Sequence, residues 1–129
     1  MDGPPVSTQG SSRGRSAWQA RVLAAATAKW PVGEAPCGVP VALRITHFYD
    51  STNGRPADVD NIIKPIQDAL KGLVYIDDHQ VADTRGRRRD INGAFRVRGL
   101  ASEVAVALAL GREFLHVLIG TPQPDEHLD

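Results

Sequence analysis

The chain has 129 residues, 42% of them apolar, and its fifteen basic and fifteen acidic side chains cancel to a net charge of zero. That length and composition allow one domain with one modest core. No apolar run is long enough to span a bilayer, and nothing at the N-terminus resembles a signal peptide. The single cysteine, Cys37, excludes an internal disulfide, so the expectation is a soluble cytoplasmic protein with no membrane association.

Residues 1–14 are rich in Gly, Pro and Ser and read as a loop. A helix is expected next, with Ser16 as N-cap. Trp18, Val22, Ala25, Ala26 and Trp30 recur at helical spacing, and Pro31 stops it. After a Pro/Gly connection, Val39, Val41, Leu43 and Ile45 alternate with polar or small residues in a strand running to about Tyr49. A loop over 50–57 leads to a helix whose apolar face is Ile62, Ile63, Ile66, Ala69, Leu70 and Leu73, with Gly72 placed to end it.

Residues 80–91 read as a strongly basic strand, and Asn92-Gly93 is a turn signal before a short strand over 94–98. A small alanine-rich helix over 102–110 closes at Gly111. Glu113 to Ile119 forms a last strand, and residues 120–129 read as a disordered tail. Regular parallel crossovers are not expected from this interleaving. The reading is an α+β fold: a single compact domain over 15–119 with a mixed β-sheet and packed helices.

The zero net charge hides a segregation. From Asp50 to Asp83 seven acids face three bases, and from Arg85 to Arg98 six arginines face one acid. An acidic site beside a basic stripe suits a metal-dependent enzyme acting on a polyanion. The acids concentrate in Asp58-Val-Asp60-Asn61-Ile-Ile-Lys64-Pro-Ile-Gln-Asp68 and in Asp77-Asp78. On a helix Asp60, Lys64 and Asp68 form one polar ridge, and Asp58 stands where it could cap that helix. Pro65 implies that the helix starts late, near 61–64, or is kinked. In an extended segment Asp77 and Asp78 point opposite ways, so one of them is expected to join the site. Oxygen-only donors select a hard ion, Mg²⁺ or Mn²⁺. His47, His79, His116 and His127 are dispersed and read as packing or surface residues.

The pattern D-x-D-N-x-x-K-x-x-x-D-A-L followed by Y-I-D-D resembles the core motif of the RusA-type Holliday junction resolvases. Gly3-Pro4-Pro5-Val6-Ser7 and the last strand resemble that family's N-terminal loop and closing strand. One departure stands out: the family's strand before the G-P-P loop has only Met1 and Asp2 in its place.

The resemblance implies a RusA-like fold and a homodimeric, Mg²⁺-dependent endodeoxyribonuclease that makes paired nicks in four-way DNA junctions during recombination and repair. It maps the catalytic acids and metal ligands onto Asp58, Asp60 and Asp78 and the catalytic lysine onto Lys64. Asn61, Asp68 and Asp77 also match the pattern. Arg85, Arg87, Arg88 and Arg89, with Arg13 and Arg15, are the expected contacts to the DNA backbone. The last helix and strand are candidates for a dimer interface. The competing expectations are a non-catalytic branched-DNA-binding protein and a metal-dependent nuclease for other branched or single-stranded DNA.

Overall fold

Residues 41–49 lie at the centre of the sheet, paired on both sides: Leu43 and Ile45 are wholly buried while Arg44 between them is exposed, and burial is continuous from Ile45 to Phe48. The computed structural model describes residues 1, 12–54, 56, 58–92 and 102–122. The strand expected over 94–98 and the tail beyond residue 122 lie outside them, as do residues 2–11.

Three strands, β1 (Val41–Tyr49), β2 (Val81–Asp90) and β3 (Phe114–Gly120), form a sheet in the order β2-β1-β3. β1 runs parallel to β2 and antiparallel to β3. Helix α1 (Ser12–Lys29) precedes the sheet, α2 (Val59–Leu70) joins β1 to β2, and α3 (Ser102–Ala109) precedes β3. This is the expected α+β fold with a mixed sheet.

Two expectations about these elements are corrected. β1, α2 and β2 form a parallel crossover unit, which the long connection with its 3₁₀ turn at Ser51–Asn53 conceals in the sequence. And α1 begins by Ser12, not after Ser16, so Arg13 and Arg15 ride on its first turns. Glycine and serine cost a helix about 0.5–1 kcal/mol each without forbidding it. The later burial of Trp18 and Val22 in the core holds α1 in place.

The main core lies between the sheet and the helix pair α1/α2. Trp18 and Val22 meet Ile62, Ile66 and Leu70 above Leu43, Ile45 and Leu115. A smaller cluster of Phe48, Phe114 and Val104 seats α3 at one end of the other sheet face. The Phe48 and Phe114 rings stack with centroids 4.5 Å apart. At the outer side of β3, Met1 exchanges both backbone hydrogen bonds with Leu115, at 2.9 and 2.7 Å.

Helix α2 starts at Val59 and carries Pro65 in its interior, so of the two expected alternatives, a late start near 61–64 or a kink, the late start is not observed. The ring of Pro65 is buried in the core, which offsets the N–H that it cannot give to the Asn61 carbonyl. Gly72, at φ 93°, ends the helix where expected, its N–H donating to the Tyr75 carbonyl at 2.7 Å.

Candidate active site

The crossover sets the orientation of α2. Val59 at its start packs over Gly86, late in β2, while the Gln67 amide near its end donates to Thr84 Oγ1 at 3.0 Å. The N-terminus of α2 therefore points to the carboxyl ends of β1 and β2, the end where open sheets with parallel strands place their sites. Asp58 is the N-cap residue and Asp60 sits in the first turn. The Asp58 side chain makes no cap hydrogen bond, so the capping role expected for it is not filled. A helix N-terminus favours negative charge, whether carboxylate or phosphate.

Asp60, Lys64 and Asp68 are all exposed along one ridge of α2, opposite its buried face of Ile62, Ile66, Ala69 and Leu70. Lys64 Nζ lies 2.8 Å from Asp68 Oδ1 and 3.3 Å from Asp78 Oδ2. These two acids raise the proton affinity of Lys64 above its usual value, Asp68 contributing the larger hydrogen bond, so Lys64 stays an ammonium. Asp78 comes from the 3₁₀ turn Asp78–Gln80 ahead of β2, fourteen residues along the chain from Lys64. Its second oxygen, Oδ1, is buried without a hydrogen-bond partner.

Asp77 caps that turn, and of the pair it is Asp78 that meets Lys64. Two residues that the sequence reading missed build the support. Gln80 Oε1 accepts from the N–H groups of Ile76 and Asp77 at 2.8 and 2.9 Å. Its Nε2 donates to the carbonyls of Cys37 and Val39 at 2.7 and 3.1 Å. Tyr75 is wholly buried, with its hydroxyl donating to the Gln67 carbonyl. Burial, with the charges of Asp78 and Asp68 behind it, pushes the Tyr75 hydroxyl up to about 12. The Tyr in Y-I-D-D was visible in the sequence, but its anchoring role depends on a contact eight residues back.

The oxygen-only donors and the unpartnered Asp78 Oδ1 suit a hard cation in kind. Among the described residues, no group of three or more Asp, Glu, His or Cys side chains could hold a metal ion together. Eight residues of helix put Asp60 and Asp68 about 12 Å apart along the axis. What the structure brings together is Lys64 with Asp68 and Asp78, while Asp58 and Asp60 stand at the helix start.

The arginines divide. Arg88 lies across from His47 on the α2 side of the sheet, whereas Arg85, Arg87 and Arg89 lie across from Arg44, Thr46 and Phe48 on the other face. The expected common face of 85, 87 and 89 is observed. His47, expected at the core edge or surface, is buried, with Nε2 3.0 Å from Glu113 Oε1. Asn61 is half-buried in the first turn of α2, and Arg13 is exposed on α1.

A crossover helix that carries acids and an ammonium beside an arginine-bearing strand defines a protein equipped to handle phosphodiesters. A protein-family model described as Endodeoxyribonuclease RusA matches residues 8–98, well over half of the chain. The chain belongs to the RusA family of Holliday junction endonucleases. No curated protein matches it.

Proposed function

We propose that this protein is a Mg²⁺-dependent endonuclease that nicks four-way DNA junctions in symmetric pairs, as a homodimer acting in cytoplasmic DNA recombination and repair. The observation that carries the reading is the contact between Lys64 and Asp78. It joins the D-x-D-N-x-x-K helix to the later acid pair, which are separate in sequence.

In this reading Asp58, Asp60 and Asp78, which do not meet at one point in the structure, would hold a divalent ion once drawn together, Mn²⁺ serving in place of Mg²⁺. A bound ion supplies Lewis acidity toward the phosphate and a nucleophile at neutral pH. Lys64, kept charged by Asp68 and Asp78, stabilises the extra negative charge that develops on the phosphate oxygens. The N-terminus of α2 adds its dipole at the same end of the sheet. Asn61, Asp68 and Asp77 position these groups. Arg88 holds the cleaved strand from the α2 side, and Arg13, Arg15, Arg85, Arg87 and Arg89 hold the duplex backbone. A two-fold dimer presents one such site to each of two equivalent junction strands.

The test is a cleavage assay on a synthetic four-way junction against linear duplex and flap controls, with and without Mg²⁺. Symmetric paired nicks that need the ion, and that Asp60→Asn abolishes while binding persists, are expected. Binding without cleavage in Mg²⁺ or Mn²⁺ would leave a DNA-binding protein without nuclease activity. Equal cutting of all substrates would make it a general nuclease.

A further inference from the structure

The sheet has a second face, which carries four exposed arginines, Arg44, Arg85, Arg87 and Arg89. A register irregularity between Val41 and Ala42 sets odd-numbered β2 residues across from even-numbered β1 residues. Arg44 therefore lies between Arg85 and Leu118, and Thr46 between Arg87 and His116, on the face turned away from α2. Arg44, Arg85, Arg87 and Arg89 are exposed, and Leu118 is 51% exposed. The acid on this face of β2 is Asp83, across from Ala42, with its carboxylate 3.8 Å from Arg85 Nε. Helix α3 covers the Phe48–Phe114 end, and the arginines continue beyond it.

Two arginines directly across from each other on adjacent strands work against the sheet, since like charges at that spacing repel. Arg87 is also positioned: its Nε donates to the buried Thr46 hydroxyl at 3.2 Å, which holds the guanidinium over the face. Residues two apart on a strand are about 7 Å apart and neighbouring strands about 5 Å. Arg44, Arg85 and Arg87 thus form a compact cationic triangle. Its complement is a run of regularly spaced anions, and guanidinium groups pair with phosphate oxygens two at a time.

We propose that this face is a second DNA-contact surface, on which Arg44, Arg85 and Arg87 hold the phosphate backbone of a duplex arm other than the one being cut. The proposal rests on the nuclease reading and extends it with a residue, Arg44, outside the arginine run. β2 is an edge strand of the described sheet, with Arg88 on the α2 side and Arg85 and Arg87 on the other. A straight duplex lies along one side of that edge. Two arms diverging from a branch point straddle it, so contacts on both sides favour branched over linear DNA.

The experiment measures binding of the full chain to a four-way junction and to a linear duplex, in Ca²⁺ so that the DNA stays intact, across a salt series. Arg44→Ala and Arg87→Ala are each expected to weaken junction binding by about three- to tenfold. Each should also flatten the salt slope by about 0.9 for every phosphate that is no longer neutralised. The junction-to-duplex affinity ratio falls with them, and Arg44→Lys recovers most of the salt slope. Circular dichroism confirms that these exposed variants fold. Wild-type binding with superimposable variant isotherms overturns the inference and leaves the nuclease reading standing. Loss of binding that tracks a fall in sedimentation mass also overturns it, by making the face a protein interface. A wild-type chain that binds neither DNA overturns the nuclease reading itself.

Discussion

Gly86 lies directly beneath Val59: a Cβ at position 86 would come within 2.5 Å of Val59 Cγ1, with Ile63 Cδ1 at 3.1 Å. Val59 is β-branched and opens α2, so it has little rotamer freedom with which to retreat. The close approach holds the start of α2, with Asp58 and Asp60, against β2. Gly86→Ala is expected to cost about 1–3 kcal/mol through overpacking, read as a lower urea midpoint. Nicking by the folded variant should fall as well, because relief of the clash lifts the acids away from the strand. An unchanged midpoint would show that the helix start is not pinned there.

Lys64 separates a structural role from a chemical one. Its side chain and those of Asp68 and Asp78 are 55%, 40% and 39% exposed. Exposed ion pairs contribute about 0–1 kcal/mol. Lys64→Met should therefore keep the urea midpoint close to wild type while nicking falls by about 10²-fold or more. Asp68→Asn should lower kcat about tenfold with little change in KM, since the ammonium stays charged but loses its 2.8 Å partner. A Lys64→Met rate equal to wild type would restrict the lysine to ion pairing.

The elements were legible where one strong pattern governed them. The alternation of β1 and the apolar face of α2 mark both elements in the sequence, and Gly72 marks the helix end. The start of α1 was not legible, because its first turns are polar and its hold comes from Trp18 and Val22 further on. The parallel crossover was hidden by the loop after β1. At the site, the ridge of Asp60, Lys64 and Asp68 followed from helical spacing. Choosing Asp78 over Asp77 needed the turn, and that turn depends on Gln80 reaching across to Cys37 and Val39. The split of Arg88 from its neighbours follows from alternation, but pairing Arg44 with Arg85 required the register.

Gln80 is the residue on which the placement of Asp78 depends. Its amide makes four hydrogen bonds, to Ile76 and Asp77 on one side and Cys37 and Val39 on the other. Gln80→Leu leaves these backbone groups to water or to no partner, at a cost of about 1–3 kcal/mol for a buried group. Binding of junction DNA should survive, and nicking should fall by more than the folded fraction explains. Wild-type nicking by a destabilised Gln80→Leu would detach Asp78 from the chemistry.

Asp78 itself tests the ion. Its Oδ1 is buried without a partner while Oδ2 faces Lys64. An ion that binds the folded chain stabilises it by about 2.7 kcal/mol at a hundredfold excess over Kd. Mg²⁺ or Mn²⁺ should raise the wild-type Tm in a saturable way, and a chelator should reverse the rise. Asp78→Asn should fold with a similar ion-free Tm and lose most of the response. A response identical to wild type would remove Asp78 from the ligand set.

The pH dependence of stability is set in one window by His47. The ring is buried, its Nε2 meets Glu113, and its Nδ1 has no partner. Burial lowers its proton affinity below the ordinary 6.5; the Glu113 charge and hydrogen bond oppose this, and Arg88 adds to the lowering. The folded chain thus binds fewer protons at this site than the unfolded chain. Its stability contribution is complete above pH 6.5 and is lost as pH falls through the lower folded value. Asp50 and Asp90 are also held below their ordinary 3.8, each by side-chain hydrogen bonds in the knot around Asn92, Thr52 and Ser51, so their contribution fades only in stronger acid. The urea midpoint should be level from about pH 8 to 7 and decline below about 6.5, well before the carboxylates titrate. Glu113→Gln removes the charge that opposes the shift, so its decline should be deeper over the same range. A wild-type midpoint that rises on acidification from about pH 7 to 5 would reverse the sign assigned to His47.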